Sequence, residues 1–303
     1  MPTATPSVVV RAKNKEQTIE RALRGLRNQT IETEVILVDS GSTDGTVEIA
    51  RPYCDQVISM PAAAFTYGRA LNLGAQHASG QVVFALSAHC VPPSSEWVEI
   101  SLNAYADEDV AGTWGPQSRP DGAPLIAPAT FKLADLQRGT IWGFSNSASS
   151  WRRQVWERFP FDEQLIACED KEWMWRVLSA GFGVHADPRL VVDSSHRRDA
   201  GLLSLYKRVY REHFVLAGTL GHPRLTTGGL ARKWWSDFPD GSAHPNWQRR
   251  LSPLRAAELV GEFTGDLAGA RSREDRPRGP SPWSTASPAH GPDGPSSGAA
   301  LGG

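Results

Sequence analysis

Cysteine is scarce in this 303-residue chain: Cys54, Cys90 and Cys168 are too few and too far apart for a zinc-type pair or a disulfide framework, and they suit a reducing compartment. Long apolar runs are missing as well. Nothing approaches the ~20 residues needed to cross a bilayer, and Val8-Val9-Val10 is cut off by Arg11 too soon for a signal peptide. Neither sign of charge is in excess, because 32 basic and 33 acidic side chains leave a formal net charge of -1. That balance excludes a global field for nucleic acid or anionic membrane, so any phosphate binding must be local. A cytoplasmic chain, soluble or at most peripheral to a membrane, is expected. Internal repeats are absent too. What is present is a 40% apolar composition with eleven tryptophans, enough for a sizeable core in one large domain or two small ones.

Short apolar runs at Ser7 to Val10, Glu34 to Val38, Gln56 to Ser59 and Gln81 to Leu86 predict buried strands. Between them, Ile19, Ala22, Leu23 and Leu26, and then Ala70, Leu71, Gly74, Ala75 and Ala78, recur at helical spacing. The alternation predicts an α/β fold with a mostly parallel sheet covered on both faces. Ligands of such sheets bind beyond the carboxyl ends of the strands. From Trp114 the pattern changes: Pro116 to Pro128 predicts a loop, and Arg152 to Phe159, Glu169 to Ala180 and Gly201 to Gly218 predict helices, with Gly181 closing the second. Beyond Ala268 the chain turns to Pro, Gly, Ser and Ala, a composition that predicts a disordered tail. The expected divisions are 1–115, 116–215, a helical extension at 216–267, and the tail at 268–303.

Three sites follow these strands or open a helix. Asp39 ends the second strand and runs into Ser40-Gly41-Ser42-Thr43-Asp44-Gly45-Thr46, which either brings backbone close to a ligand or makes an ordinary turn capped by Asp44. Ser87-Ala88-His89 follows the fourth strand, where an imidazole binds a metal, meets a diphosphate, or serves structure alone. Glu169 and Asp170 open a helix, as complements to its dipole or as a general base and its neighbour.

Taken in order, these segments resemble the inverting glycosyltransferase family 2, and its rhamnosyltransferase-like members in particular. The resemblance runs from about residue 7 to 215. Val8-Val9-Val10-Arg11-Ala12-Lys13-Asn14 stands where that family has its first strand and nucleotide-contacting segment, and Val38 to Thr46 resembles its second-strand signature. Phe65-Thr66-Tyr67-Gly68-Arg69-Ala70-Leu71-Asn72 is similar to an F-x-H-G-x-x-R-N segment, with Tyr67 for His and Arg69 displaced. Glu169-Asp170 matches the pair that carries the family's base, and Val191 to His196 resembles a late strand that returns a His to the metal and diphosphate.

The resemblance implies a GT-A fold, a Rossmann-like nucleotide-binding sheet with a C-terminal helical extension. Residues 1–115 would then hold the nucleotide sugar, and 116–215 the acceptor and the base. It implies a nucleotide diphosphate sugar as donor and a hydroxyl acceptor. It places Arg11, Asn14, Asp39, Ser40, Gly41, Arg69, Asn72, Ser87, Ala88 and His89 at the donor, and Glu169, Trp142 and Trp173 at the acceptor. Asp170 would be the base. A divalent cation, Mn2+ or Mg2+, would be held by His89 and His196, with Arg69, Arg197 and Arg198 as further diphosphate partners. The departure is that Ser87-Ala88-His89 stands where the family carries an Asp-x-Asp-like motif. Imidazole suits manganese better than magnesium, and metal-free stabilisation of the diphosphate or a lapsed enzyme stay open. A sugar-phosphate nucleotidyltransferase and a non-catalytic nucleotide-sugar binder are the alternative functions. Nucleic-acid or membrane binding through Arg232-Lys233-Trp234-Trp235 rests on a weak patch.

Overall fold

Val8, Val9 and Val10 are all fully buried, because their strand is covered on both faces. Val9 joins Ile36, Val38, Ala85 and Leu71 in one core, while Val8 and Val10 join Val35, Leu37, Phe84 and Leu86 in another. The two-residue period of a strand thus feeds two hydrophobic layers, one on each side of the sheet. The computed structural model describes residues 5–115, 127–137, 143–192, 201–236 and 253–274.

The elements in chain order are β1 (Ser7–Ala12), α1 (Ile19–Arg27), β2 (Glu34–Asp39), α2 (Thr46–Ala50), β3 (Gln56–Ser59), α3 (Tyr67–His77), β4 (Val82–Ser87) and α4 (Trp97–Asn103). They continue with β5 (Val110–Trp114), β6 (Ala129–Phe131), α5 (Leu133–Gln137), β7 (Ala148–Arg152), α6 (Arg153–Arg158), α7 (Glu169–Ser179) and β8 (Gly183–Ala186). Three helices, α8 (Leu202–Val215), α9 (Thr227–Ser236) and α10 (Pro253–Glu274), complete the described chain.

One sheet of eight strands runs in the order β3-β2-β1-β4-β7-β5-β8-β6. β1 to β4 are mutually parallel, as are β5 and β8, whereas β7 and β6 run antiparallel to their neighbours. Connections from β1 leave toward β2 on one side and return as β4 on the other, so the strand order reverses at β1/β4, where open α/β sheets bind ligands. Register puts Arg11 opposite both Val38 and Ser87, and Ala12 opposite Asp39. The expected strands lie within a residue or two of the observed ones. β7 could not be read as a strand because Ser149 and Ser150 interrupt its apolar pattern. Inside the fold the Ser150 hydroxyl is matched by those of Ser101, Tyr105 and Thr113 at 2.7–2.8 Å, which removes the cost of burying it.

The helical extension differs from its expected bounds. α8 packs along α10 through Gly261, Gly265 and Gly269: a Cβ at Gly265 would lie 2.5 Å from the Tyr210 carbonyl oxygen, and one at Gly269 2.3 Å from that of Phe214. Spacing of four on both helices makes the pair parallel and in close backbone contact. α8 thus packs on α10 along one side and, through Val215 and Phe214, on Leu165, Ala167 and Cys168 on the other. Helix also persists through Glu274, past the boundary at 267, because Gly269 is part of this packed stripe.

Candidate active site

At the carboxyl edge, the penultimate residue of β1 is Arg11, a side chain only 9% exposed. Its Nη2 donates to the Asn146 carbonyl oxygen at 2.5 Å, Nη1 stands 3.9 Å from Glu169 Oε1, and the guanidinium lies 5.5 Å over the Tyr67 ring. Its Nε and Nη1 are buried without a hydrogen-bond partner among the described residues. A guanidinium stays charged, and buried donors left unmatched cost about 1–3 kcal/mol each. The arrangement suits an anionic ligand that supplies the missing acceptors.

Asn146, absent from the sequence-based candidates, ties the other groups to Arg11. Its backbone N–H donates to Asp170 Oδ2 at 3.3 Å, its Nδ2 to Glu169 Oε1 at 3.3 Å, and its Oδ1 accepts from Ser149 at 2.9 Å. Asp170 also accepts the Lys171 N–H at 2.8 Å, and its side chain keeps 13% exposure, enough to reach a ligand. Cys168, just before α7, has φ 58, one of two non-glycine residues with positive φ among those described. The other is Asn14, and both border this edge. Burial, and then the adjacent Asp170 charge, push the Glu169 carboxyl up to about 7 against the pull of Arg11.

The loop after β2 is braced from within and from β1. Asp39 Oδ2 accepts from the N–H groups of Gly41 and Ser42 at 3.1 and 3.0 Å, and Oδ1 from the Ser42 hydroxyl. Gly41 has φ +85 with Ala62 close by, a backbone position that penalises any side chain. Asn14 Oδ1 accepts from Thr43 N at 2.9 Å while its own N–H reaches Ser42 Oγ. The Asp44 carboxylate accepts from Thr46 N at 3.0 Å, and Ser40 Oγ donates to the Ala12 carbonyl oxygen. On the neighbouring strand, Ser87 N is bonded to Ser147 O and Ala88 N to Arg11 O, which seats His89 just past the β4 edge.

Arg11, Asn14, Asp39, Ser40, Gly41, Ser87, Ala88, His89, Glu169 and Asp170 thus gather along one edge of the sheet. Three candidates do other work. Asn72 is buried and saturated, donating to Phe161 O and Glu163 Oε1 and accepting from Trp156 Nε1 and Phe161 N, so its amide pins α3 to the 159–163 turn. Arg69 pairs with Glu163 at 2.9 Å and with the Ala64 carbonyl. Trp173 is fully buried, stacks on Phe144 and donates to Phe159 O, which makes it core and not acceptor wall. Trp142, Asp193, His196, Arg197 and Arg198 lie outside the described residues. Among the described residues, a grouping fit for a metal is found at His213, Glu262 and Asp266 in the helical extension. At the sheet edge, Ser87 and His89 offer one hydroxyl and one imidazole.

A mostly parallel sheet with its polar groups collected at the strand reversal is shared with solved structures of the GT-A class. A mannosyltransferase from Pyrobaculum calidifontis in complex with GDP-Man and Mn2+ superposes with a TM-score of 0.58, at 19% identity, over 87% of this chain and 71% of that one. Residues 7–147 match the model of glycosyl transferase family 2. The O-antigen chain rhamnosyltransferase WbaN of Salmonella anatum is 28% identical over 181 residues, 54% of this chain and 57% of its own length. An undecaprenyl-phosphate 4-deoxy-4-formamido-L-arabinose transferase of Pseudomonas fluorescens is 28% identical over 194 residues, 61% of this chain and 56% of its own. The chain spans somewhat more than half the length of these curated relatives.

Proposed function

We propose that the protein is an inverting glycosyltransferase, moving one hexosyl, deoxyhexosyl or pentosyl unit from a nucleotide diphosphate sugar to an acceptor hydroxyl. The observation that carries this reading is the pairing of a buried, incompletely satisfied Arg11 with a positioned Asp170 across Asn146. One group suits an anion and the other a proton, at the two ends of a displacement.

In the proposed step the acceptor oxygen attacks the anomeric carbon from the face opposite the diphosphate. Its proton passes to Asp170, the new C–O bond forms, and the bond to the diphosphate breaks with its electron pair leaving on oxygen. Arg11 and His89 face that growing charge, a kind of fixed stabilisation worth several kcal/mol in a water-poor site. Asp39 and the Ser40-Gly41 backbone receive the nucleoside, and Asn14 holds their loop in shape. The donor set is compatible with a manganese-type cation bound by His89 together with donor phosphates, with His196 as a second ligand. Magnesium fits less well without a carboxylate. When bound, such a cation supplies Lewis-acid stabilisation of the leaving diphosphate. The names of the relatives, directed at O-antigen chains and undecaprenyl phosphate, support a glycan or lipid-linked acceptor. A cytoplasmic enzyme working at a membrane fits that acceptor, and no helix among the described residues is long and apolar enough to cross one.

A thermal-shift screen of UDP-, dTDP- and GDP-sugars with and without Mn2+ tests the reading. A true donor at ~100 times its dissociation constant stabilises the fold by ~2.7 kcal/mol, and a chain that responds to none of them is not a nucleotide-sugar enzyme.

A further inference from the structure

Six large hydrophobic side chains stand exposed among the described residues, and four of them lie on the α8/α10 pair: Leu202 (46%), Leu203 (64%), Leu254 (48%) and Val260 (49%). The glycine contacts place Gly261 beside Tyr206 and Val209, and the four-residue spacing carried back along both helices sets Leu254 level with the start of α8. The leucines of both helices therefore lie at the same end of the pair. One to two turns further along α8 come Lys207, Arg208 and Arg211, none with an acidic partner among the described residues. The nearby acids of α10 are already committed, Glu258 to Arg255 at 3.4 Å and Glu262 to Lys233 at 2.7 Å, and Glu212, the one acid on α8, follows Arg211 and offsets one of the three charges. Tyr206 and Tyr210, with Ser204, Lys207 and Arg211, line an open groove of about 430 Å³ on this face.

Exposed leucines at the tip, amphipathic tyrosines behind them and a row of three basic side chains against one acid form the profile of a helix that beds into the headgroup layer of an anionic bilayer. The local charge matters here because the chain as a whole is at -1 and offers no general attraction. We infer that the N-terminal end of the α8/α10 pair is a membrane-docking surface whose partner is an anionic phospholipid bilayer. The leucines enter the acyl boundary, and Lys207, Arg208 and Arg211 meet lipid phosphates. Docking there has a geometric consequence for the edge of the sheet. Val215 packs in one cluster with Leu165, Ala167 and Cys168, with Phe214 against it, and Cys168 Sγ contacts the Glu212 carbonyl oxygen at 3.7 Å. The docking helix is thus joined directly to the residue that starts α7, two positions before Asp170. On the transferase reading, that linkage fixes the acceptor side at a set height above the lipid surface.

The test is co-sedimentation of the full chain with vesicles of phosphatidylcholine containing 30 mol% phosphatidylglycerol, beside vesicles of phosphatidylcholine alone. Wild type pellets with the anionic vesicles, much less with the neutral ones, and binding declines as salt is raised. The triple change Lys207→Gln, Arg208→Gln, Arg211→Gln weakens partitioning by roughly 100-fold, and Leu202→Ser with Leu203→Ser weakens it by roughly tenfold or more. Both variants change exposed side chains only, and circular dichroism with nucleotide-sugar thermal shifts, expected to match wild type, verifies the fold and the donor site. No binding by wild type, equal binding to neutral vesicles, or wild-type binding by both variants overturns the docking surface. The transferase reading stands or falls separately on the thermal shifts.

Discussion

Arg11 Nη1 lies 3.9 Å from Glu169 Oε1, both side chains being more than nine-tenths buried, and the Asn146 carbonyl accepts from the same guanidinium. This contact joins the end of the first strand to the start of α7, some 160 residues later in the chain. It brings a permanent cation, a carboxyl poised near neutrality and the proposed base into one cluster before any substrate arrives. Preorganisation of this kind spares the reaction the cost of turning dipoles at the moment charge develops.

Arg11→Gln is expected to weaken nucleotide-sugar binding by one to two orders of magnitude, since charge-assisted hydrogen bonds are worth about 1.5–3 kcal/mol. Calorimetry with the donor found by the thermal screen measures it. Wild-type affinity in a folded variant would remove Arg11 from the donor site.

Glu169 gives a pH signature. Its folded-state value is raised to about 7 from 4.5, so between those limits the native protein holds a proton that the unfolded chain has lost. Stability from this group is complete below about pH 4.5 and lost as pH rises through about 7. Glu169→Gln keeps the neutral form at every pH. Its melting temperature should equal wild type near pH 4.5 and exceed it at pH 8, with the gap opening between. A variant less stable than wild type at pH 8 would mean that the Arg11 ion pair outweighs burial.

Asn146→Ala removes the side-chain links to Glu169 and Ser149 from a fully buried position. Unmatched buried groups cost about 1–3 kcal/mol, so a lower denaturation midpoint is expected. Once turnover is measurable, kcat should fall more than KM rises, because the lost side-chain bonds to Glu169 and Ser149 are those that hold the residue 146 backbone N–H in place against Asp170. A change in KM alone would assign Asn146 to substrate binding.

His89→Ala should abolish any Mn2+-dependent part of donor binding, read by thermal shift with and without chelator. Donor binding that ignores both chelator and the substitution would leave Arg11 to meet the diphosphate without a cation.

β1, β2 and β4 were legible because buried parallel strands are continuous apolar runs, and Asp39 and His89 because one ends β2 and the other lies just past β4. Asp170 was legible through its place at a helix start and its resemblance to a family motif. Asn146 was not. It is one of three consecutive small polar residues, Ser145-Asn146-Ser147, and its importance arises from contacts with residues 11, 169 and 170 that no local pattern encodes. Trp173 and Asn72 misled for the converse reason. A tryptophan near the base and an asparagine in a motif-like segment have the chemistry of ligand contacts, yet long-range packing spends them on Phe144, Phe159, Phe161 and Trp156. The extent of α10 was hidden because glycines ordinarily argue against helix, and only a partner helix turns Gly261, Gly265 and Gly269 into a packing surface.

The account rests most heavily on Asp170 as the group that takes the acceptor proton. The direct measurement is turnover of Asp170→Asn with a working donor and acceptor, alongside donor affinity by calorimetry. Asparagine preserves size and polarity but lacks the basic oxygen, so the rate should fall by ~10² to 10⁴ while donor affinity stays within a factor of two or so. Turnover at the wild-type rate would reduce Asp170 to a helix-starting acid and contradict the proposed mechanism.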